Sequence, residues 1–221
     1  NPKPRVFRLV EDEALINRLG FNNHGAEIVK DRIKRNKKLG LLGINIGPNK
    51  DSSDRLNDYL IGLKTFYDDA DYITINISSP NTENLRTFHE GDKLQDLLKS
   101  IMEEKKNLNS NIPIAVKVSP DISKDQVSQI SEILLEHEIK AIIVSNTSEA
   151  TRDKLGNIQR HQKGGLSGKP IEEKSNILIN EFYKLLKGKI KIIGVGGVDS
   201  GQSAYDKFIA GADFVQLYTG M

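Results

Sequence analysis

Tyr72-Ile-Thr-Ile-Asn-Ile-Ser-Ser-Pro-Asn81 is an apolar strand that runs directly into a cluster of small polar groups. Ile73, Ile75 and Ile77 are β-branched and alternate with Thr74, Asn76 and Ser78, which is the period of a strand. Pro80 then removes the amide proton that another strand residue would need. Two asparagines, two serines and no charge remain at the strand's mouth.

Similar apolar runs occur at Leu41 to Ile46, Ile112 to Val118, Ala141 to Val144, Ile190 to Val195 and Phe214 to Leu217, separated by amphipathic stretches. Runs without clean alternation suit parallel strands buried on both faces, and the stretches between them supply the helical crossovers. Ser123 and Gln126 form a capping box ahead of Val127, Ile130, Ile133 and Leu134. Two further core-facing stripes are Leu94, Leu97, Leu98 and Ile101, then Ile177, Ile179, Phe182, Leu185 and Leu186, with Gly188 as a stop signal. Near the start, Val6 to Val10 reads as a short strand, and Asn22 or Asn23 as the cap of a helix carrying Ala26, Val29 and Ile33. No linker or low-complexity tract interrupts the chain, so the reading is one α/β domain over residues 1–221. Its six βα repeats form either an open doubly wound sheet or a TIM (β/α)8 barrel with about six of eight units present. The end at Leu217 to Met221, with no helix after the last strand, favours the incomplete barrel.

Composition narrows the partners. The 32 Lys and Arg nearly balance the 30 Asp and Glu, so the chain carries no strong field toward nucleic acid or a membrane. It has no cysteine, which excludes disulfides, thiolate metal sites and a cysteine nucleophile or base. No run reaches the ~18 apolar residues of a spanning helix, and Asn-Pro-Lys-Pro-Arg at the start lacks a signal peptide's apolar core. The fragment is expected to be soluble.

If the strands are parallel, the polar clusters share one set of strand ends: Asn45, then Asn76 and Ser79, Lys117, then Ser145, Asn146 and Thr147, Gly196 and Gly197, and Tyr218 and Thr219. In α/β barrels those ends form the active face. Gly194-Val-Gly-Gly197 suits close approach of backbone amides to an anion, although a glycine turn alone is weak evidence, and it lacks the spacing of a dinucleotide fingerprint. Lys117, inside Ile-Ala-Val-Lys-Val, is either an ammonium snorkelling to the rim or a fixed charge beside a ligand that becomes negative. Gly164 to Pro170 reads as a loop closing over the site. His24, His89, His137 and His161 are scattered and read as solvent-facing or structural, and no metal-ligand spacing is present.

With these residues in place the chain resembles the dihydroorotate dehydrogenases of the quinone-linked class 2 type. The motifs carrying the resemblance include Asn1-Pro-Lys-Pro-Arg-Val-Phe-Arg-Leu9, Asn17-Arg-Leu-Gly-Phe-Asn-Asn-His-Gly25, Gly43-Ile-Asn-Ile-Gly47, Asn76-Ile-Ser-Ser-Pro-Asn-Thr82, Lys117-Val-Ser-Pro-Asp121, Ser145-Asn-Thr147, Gly164-Gly-Leu-Ser-Gly-Lys-Pro170, Gly194-Val-Gly-Gly-Val198 and Gln216-Leu-Tyr-Thr219. The resemblance implies a flavin mononucleotide (FMN) barrel that oxidises dihydroorotate to orotate in pyrimidine synthesis and passes electrons to quinone. It implies Ser79 as catalytic base, where class 1 relatives use cysteine. It also implies flavin contacts from Asn45, Asn76, Lys117, Ser145, Gly168, Gly197, Tyr218 and Thr219. Substrate contacts would come from Asn17, Arg18, Leu19, Gly20, Phe21, Asn76, Asn81, Asn146 and Thr147, and the quinone side from Val6 and Arg8.

In such members two βα units precede the position of Asn1, a helix follows the last strand, and a helical pair docks peripherally on the bacterial inner or mitochondrial inner membrane. Membrane contact is therefore expected only through segments outside this chain. Ser145 stands where the family commonly has threonine. The competing readings are another phosphate-binding barrel enzyme acting on a pyrimidine, and a barrel that has lost catalysis.

Overall fold

The computed structural model describes residues 2–36, 39–82 and 85–221; Asn1, which opens the N-terminal motif, lies outside them. Six strands, β3 (Gly43–Ile46), β4 (Tyr72–Asn76), β5 (Ile114–Val118), β6 (Ala141–Val144), β8 (Lys191–Val195) and β9 (Phe214–Gln216), form one parallel sheet in the order β3-β4-β5-β6-β8-β9. The sheet is curled into a half-barrel. Register puts Asn45 beside Thr74, Asn76 beside Lys117 and Val195 beside Gln216 on the concave face. On that face Gln216 Nε2 reaches the Tyr72 hydroxyl at 3.4 Å, although β9 lies four strands from β4. Adjacent strands are ~4.8 Å apart, so only strong curvature brings these two side chains together. Of the two architectures that the strand count left open, the incomplete barrel is the one formed.

The convex face packs on helices α2 (Arg55–Phe66), α3 (Gly91–Asn107), α4 (Lys124–Glu136), α5 (Glu172–Leu186) and α6 (Gly201–Ala210), while α1 (Ala26–Arg35) precedes β3. Ile73, Ile75 and Ile77 are fully buried there, with Val116, Ile142 and Ile192 beside them. The alternation of the opening stretch therefore sorts apolar groups toward the helices and Thr74, Asn76 and Ser78 toward the bowl. The Ser123/Gln126 capping box starts α4, with Ser123 Oγ accepting from the Gln126 amide at 3.2 Å and Gln126 Oε1 from the Ser123 amide at 2.9 Å.

Three local expectations are corrected. In α5 the buried stripe is Ser175, Leu178, Ile179, Phe182 and Leu186, whereas Ile177 and Leu185 are 55% and 41% exposed. The buried positions recur at 3 and 4 residues, and the two exposed ones fall off that line. Neither Asn22 nor Asn23 caps α1. Gly25 is the N-cap, and Asn23 Oδ1 accepts from its amide at 2.8 Å, forming a turn before the helix.

The third correction concerns Gly164 to Pro170, which is not a loop. Gly165–Gly168 is strand β7, joined to the hairpin of β1 (Val6–Leu9) and β2 (Ala14–Asn17) in an antiparallel sheet of order β1-β2-β7. A small core of Phe7, Leu9, Ala14, Ile16, Leu155, Leu166 and Ile171 supports it. β7 has one apolar residue between glycines, so it carries no strand period to read. Its backbone approach explains Gly168, which has φ +96° and whose added Cβ would lie 2.3 Å from the Glu13 carbonyl.

Candidate active site

The antiparallel sheet and the carboxyl ends of the parallel strands enclose a cavity of about 920 Å3. Its walls include Val6, Arg8, Asn17 and Leu19 from the hairpin region, Gly168 from β7, and Lys117, Ser145, Asn146, Thr147, Gly197, Tyr218 and Thr219 from the strand ends. Most of the expected site residues, drawn from segments distant in sequence, thus meet in one space.

Asn76 and Ser79 do not line it directly but are tied to it. Asn76 Oδ1 accepts from the Ser78 amide at 3.1 Å, the Ser78 hydroxyl at 3.0 Å and Asn146 Nδ2 at 3.4 Å, and Asn146 Nδ2 also donates to Ser78 Oγ at 2.9 Å. Three donors on the oxygen leave the Asn76 NH2 without a protein acceptor among the described residues. Ser79 is 7% exposed, and its hydroxyl accepts from the Asn81 amide at 3.3 Å. Asn81 Nδ2 donates in turn to Asn17 Oδ1 at 3.5 Å. Four asparagines on β2, β4 and the loops after β4 and β6 therefore stand in two short runs of neutral donors and acceptors, Asn17–Asn81–Ser79 and Asn76–Ser78–Asn146, that meet where Ser78 precedes Ser79.

The remaining expected residues lie further out. Asn45 is exposed on the edge strand β3. Phe21, with φ +50°, packs against the main core and beneath Gly47, whose added Cβ would lie 2.8 Å from the Phe21 ring. Arg18 sits over the Phe7 ring, 4.8 Å from its centre, and donates to the Pro4 carbonyl. Arg18 and Asn81 also line a second, more open depression beside the first.

Lys117 lies beside this network on the concave strand face, in register with Asn76. Burial without a nearby counter-charge holds its ammonium below the ordinary lysine pKa. A desolvated cation at a cavity wall is an electrostatic feature waiting for a negative partner.

At the opposite wall Gly196 and Gly197 have φ +119° and +77°, and a Cβ on Gly197 would lie 2.3 Å from the Glu172 Cβ. A Cβ on Gly220 would lie 2.2 Å from the Val198 carbonyl. Among the described residues the amides of Gly197, Thr219 and Gly220 donate to no protein acceptor. The start of α6 differs, because Ser200 and Ser203 already cap it and Ser203 Oγ donates to Asp199. An anion here would be held by the glycine-turn amides, with the helix terminus satisfied by its own side chains.

Sequence reading missed the scaffold of the site. Ser78 was read only as part of a polar motif, yet its buried hydroxyl joins Asn76 to Asn146. Ser167, which accepts from the Thr219 hydroxyl at 2.9 Å, lies in β7, where the sequence predicts a loop. No periodicity or motif marks either one.

The fold and site define a parallel α/β barrel of the TIM type, with a neutral amide cluster, one desolvated lysine and a glycine-amide cradle at its strand ends. The chain belongs to the dihydroorotate dehydrogenase family, whose model matches residues 1–221. A dihydroorotate dehydrogenase (quinone) of Bartonella tribocorum is 47% identical over 226 residues, covering all of this chain and 62% of that protein. The enzyme of the same name from Mesorhizobium japonicum is 48% identical over 224 residues, with the same coverage. The crystal structure of DHODH in complex with ferulenol from Eimeria tenella superposes with a TM-score of 0.95 at 34% identity, covering 100% of this chain and 66% of that one. The chain thus spans about 62% of the length of the Bartonella and Mesorhizobium relatives.

Proposed function

We propose that the full-length protein oxidises (S)-dihydroorotate to orotate, with FMN as hydride acceptor and quinone as final electron acceptor, in pyrimidine synthesis. The observation that carries this is the convergence of Asn17, Asn76, Asn81 and Asn146 with Ser79 beside Lys117. A planar cyclic diamide presents alternating N–H and C=O groups, and amide side chains match both. Each amide left unpaired by a wrong ring costs ~1 to 3 kcal/mol, so the cluster is also a filter.

Ser79 Oγ takes the proton from the substrate carbon adjacent to the one that loses hydride. Its hydroxyl contacts no carboxylate or imidazole among the described residues, so the proton passes onward through water or a threonine hydroxyl. The residues fit FMN: the unpaired amides of Gly197, Thr219 and Gly220 suit its phosphate, and the Lys117 ammonium, with Asn76 and Ser145, suits a ring system that gains negative charge. When bound, FMN would supply the hydride acceptor, from which the electrons would pass to quinone. Val6 and Arg8, on the hairpin wall of the same cavity, form the quinone side. Among the described residues no helix is long and apolar enough to cross a membrane. Peripheral association is assigned to segments outside this chain.

The test is an anaerobic absorbance titration of the purified full-length protein. Dihydroorotate should bleach the flavin band with one equivalent of orotate formed, and added quinone should restore it. An unbleached flavin, or a protein purified without flavin that takes up none, would overturn the reading.

A further inference from the structure

Behind the amide cluster, on the side away from the cavity, stands a compact ionic group that neither the fold nor the proposed chemistry yet uses. Arg86, in the 3-10 turn Leu85–His89 after β4, spreads its guanidinium over three elements. Nε donates to the Ser78 carbonyl at 3.3 Å, Nη2 to the Thr147 carbonyl at 2.9 Å, and Nη1 to Asp121 Oδ2 at 3.0 Å. Nη1 also lies 3.3 Å from the more exposed Glu149 carboxylate. Ser78 immediately precedes Ser79, and Thr147 immediately follows Asn146.

We propose that Arg86 is a positioning residue, whose guanidinium sets the loop bearing Ser79 against the loop bearing Asn146 and Thr147, with Asp121 as its anchor. This rests on the assignment of Ser79 and Asn146 to the reaction given above.

The anchor is itself held from several directions. Asp121 accepts from Ser148 Oγ at 2.6 Å, from the Glu149 amide at 2.7 Å and from Lys174 of α5. Burial alone would raise its carboxyl pKa, but the Lys174, Ser148 and Glu149 donors outweigh burial and hold it below the usual range, so it stays charged at neutral pH. The hydrogen bonds also close into a ring. The Arg86 carbonyl meets His89 Nδ1 at 2.9 Å, His89 Nε2 accepts from the Ser119 amide at 3.2 Å, and Ser119 Oγ accepts from the Asp121 amide at 3.1 Å. Asp121 then returns to the Arg86 side chain. A guanidinium fixed at both backbone and side chain presents its planar donors in set directions. Two carbonyls from separate loops on one such plane cannot drift independently.

A lysine cannot replace this geometry, because one ammonium on a flexible stem does not reach both carbonyls and the carboxylate together. Misplacement of a reacting group by about 1 Å can cost roughly 100-fold in rate. In the full-length holoenzyme, Arg86→Lys should slow flavin reduction by dihydroorotate roughly 10- to 100-fold while flavin content is kept. Deuterium on the carbon that loses a proton to Ser79 should give a larger isotope effect than in the unsubstituted protein, and deuterium on the hydride carbon should not. In the flavin-free protein, amide exchange over residues 76–82 and 145–149 should accelerate together. Asp121→Asn should shift both segments in the same direction, more weakly, and serves where Arg86→Lys does not fold.

Unsubstituted reduction rates in both variants, or accelerated exchange confined to residues 85–90, would overturn the proposal and reduce the cluster to an ordinary stabilising ion pair. If the unsubstituted holoenzyme itself failed to react with dihydroorotate, the functional reading would fall, while the exchange measurement would still decide whether Arg86 couples the two loops.

Discussion

On the cavity side of residues 76–81 stand neutral amides and hydroxyls at 2.9 to 3.5 Å, with the Asn76 NH2 left spare. On the far side of the same segment stand Arg86, Asp121 and Lys174, with each Asp121 oxygen taking two donors. Both regions are polar, yet they are built for different tasks. Where every donor has its acceptor, the backbone is fixed and nothing remains to bind a ligand. Where donors are left over, a ligand completes the network, and its match to them decides what is bound.

That contrast gives the size of the expected effects. Substitution on the cavity side should strike chemistry while sparing the fold. Ser79→Ala should keep flavin and orotate binding and lower dihydroorotate oxidation by about 10^3-fold, the middle of the range for losing a general base. A turnover assay with a flavin spectrum checks both halves, and unchanged turnover would remove Ser79 from its role.

Substitution on the far side should act through the fold, on the placement of the two loops at Arg86 and on stability at His89. His89 is 2% exposed, and burial lowers its pKa from 6.5 to about 4, against the raising effect of its bond to the Arg86 carbonyl. Between those values the unfolded chain binds a proton that the folded one refuses, so stability falls as pH drops from 6.5 toward 4. The shift corresponds to a loss on the order of 3 kcal/mol. Denaturant titrations should show this acid slope flattened in His89→Gln, and an unchanged slope would place the acid sensitivity elsewhere.

Lys117 tests the boundary between the two regions, being half-buried in an otherwise buried strand yet facing the cavity. Lys117→Met should slow flavin reduction by roughly 10^2-fold, comparable to losing one donor from an oxyanion site, without loss of folded protein. Because its pKa is lowered by burial, removing it should also abolish the part of the flavin-free protein's stability that rises with pH up to the free lysine value of 10.5. The smallest effect is assigned to Asn81→Ala, which removes one amide from the chain to Asn17. It should weaken orotate binding about 10-fold, as one unpaired hydrogen-bonding group on the ligand would. A flavin-perturbation titration measures it.

The same contrast explains what could be read from the chain. Ile73, Ile75 and Ile77 announce their strand because burial on a helix-covered face demands apolar residues at every second position. Lys117 was conspicuous because a charge breaks such a run. Gly165–Gly168 was not legible as a strand, since its pairing with Ala14–Asn17 rests on backbone hydrogen bonds and a close approach that only glycine allows. The pairing of Arg86 with Asp121 was silent for a different reason. They lie 35 residues apart on turns with no period, and only the fold brings them together. Asn22, Ile177 and Leu185 show the opposite error, in which a residue of the right type at nearly the right spacing is passed over for its neighbour.

On the function proposed above, the amides of the cavity side read the substrate ring. A crystal structure of the full-length holoenzyme with orotate tests it directly. The ring should lie against the strand ends within hydrogen-bond distance of the side-chain amides of Asn76, Asn81 and Asn146, with Ser79 Oγ facing its reactive edge. Orotate bound elsewhere, or held in this cavity without those amides, would contradict it.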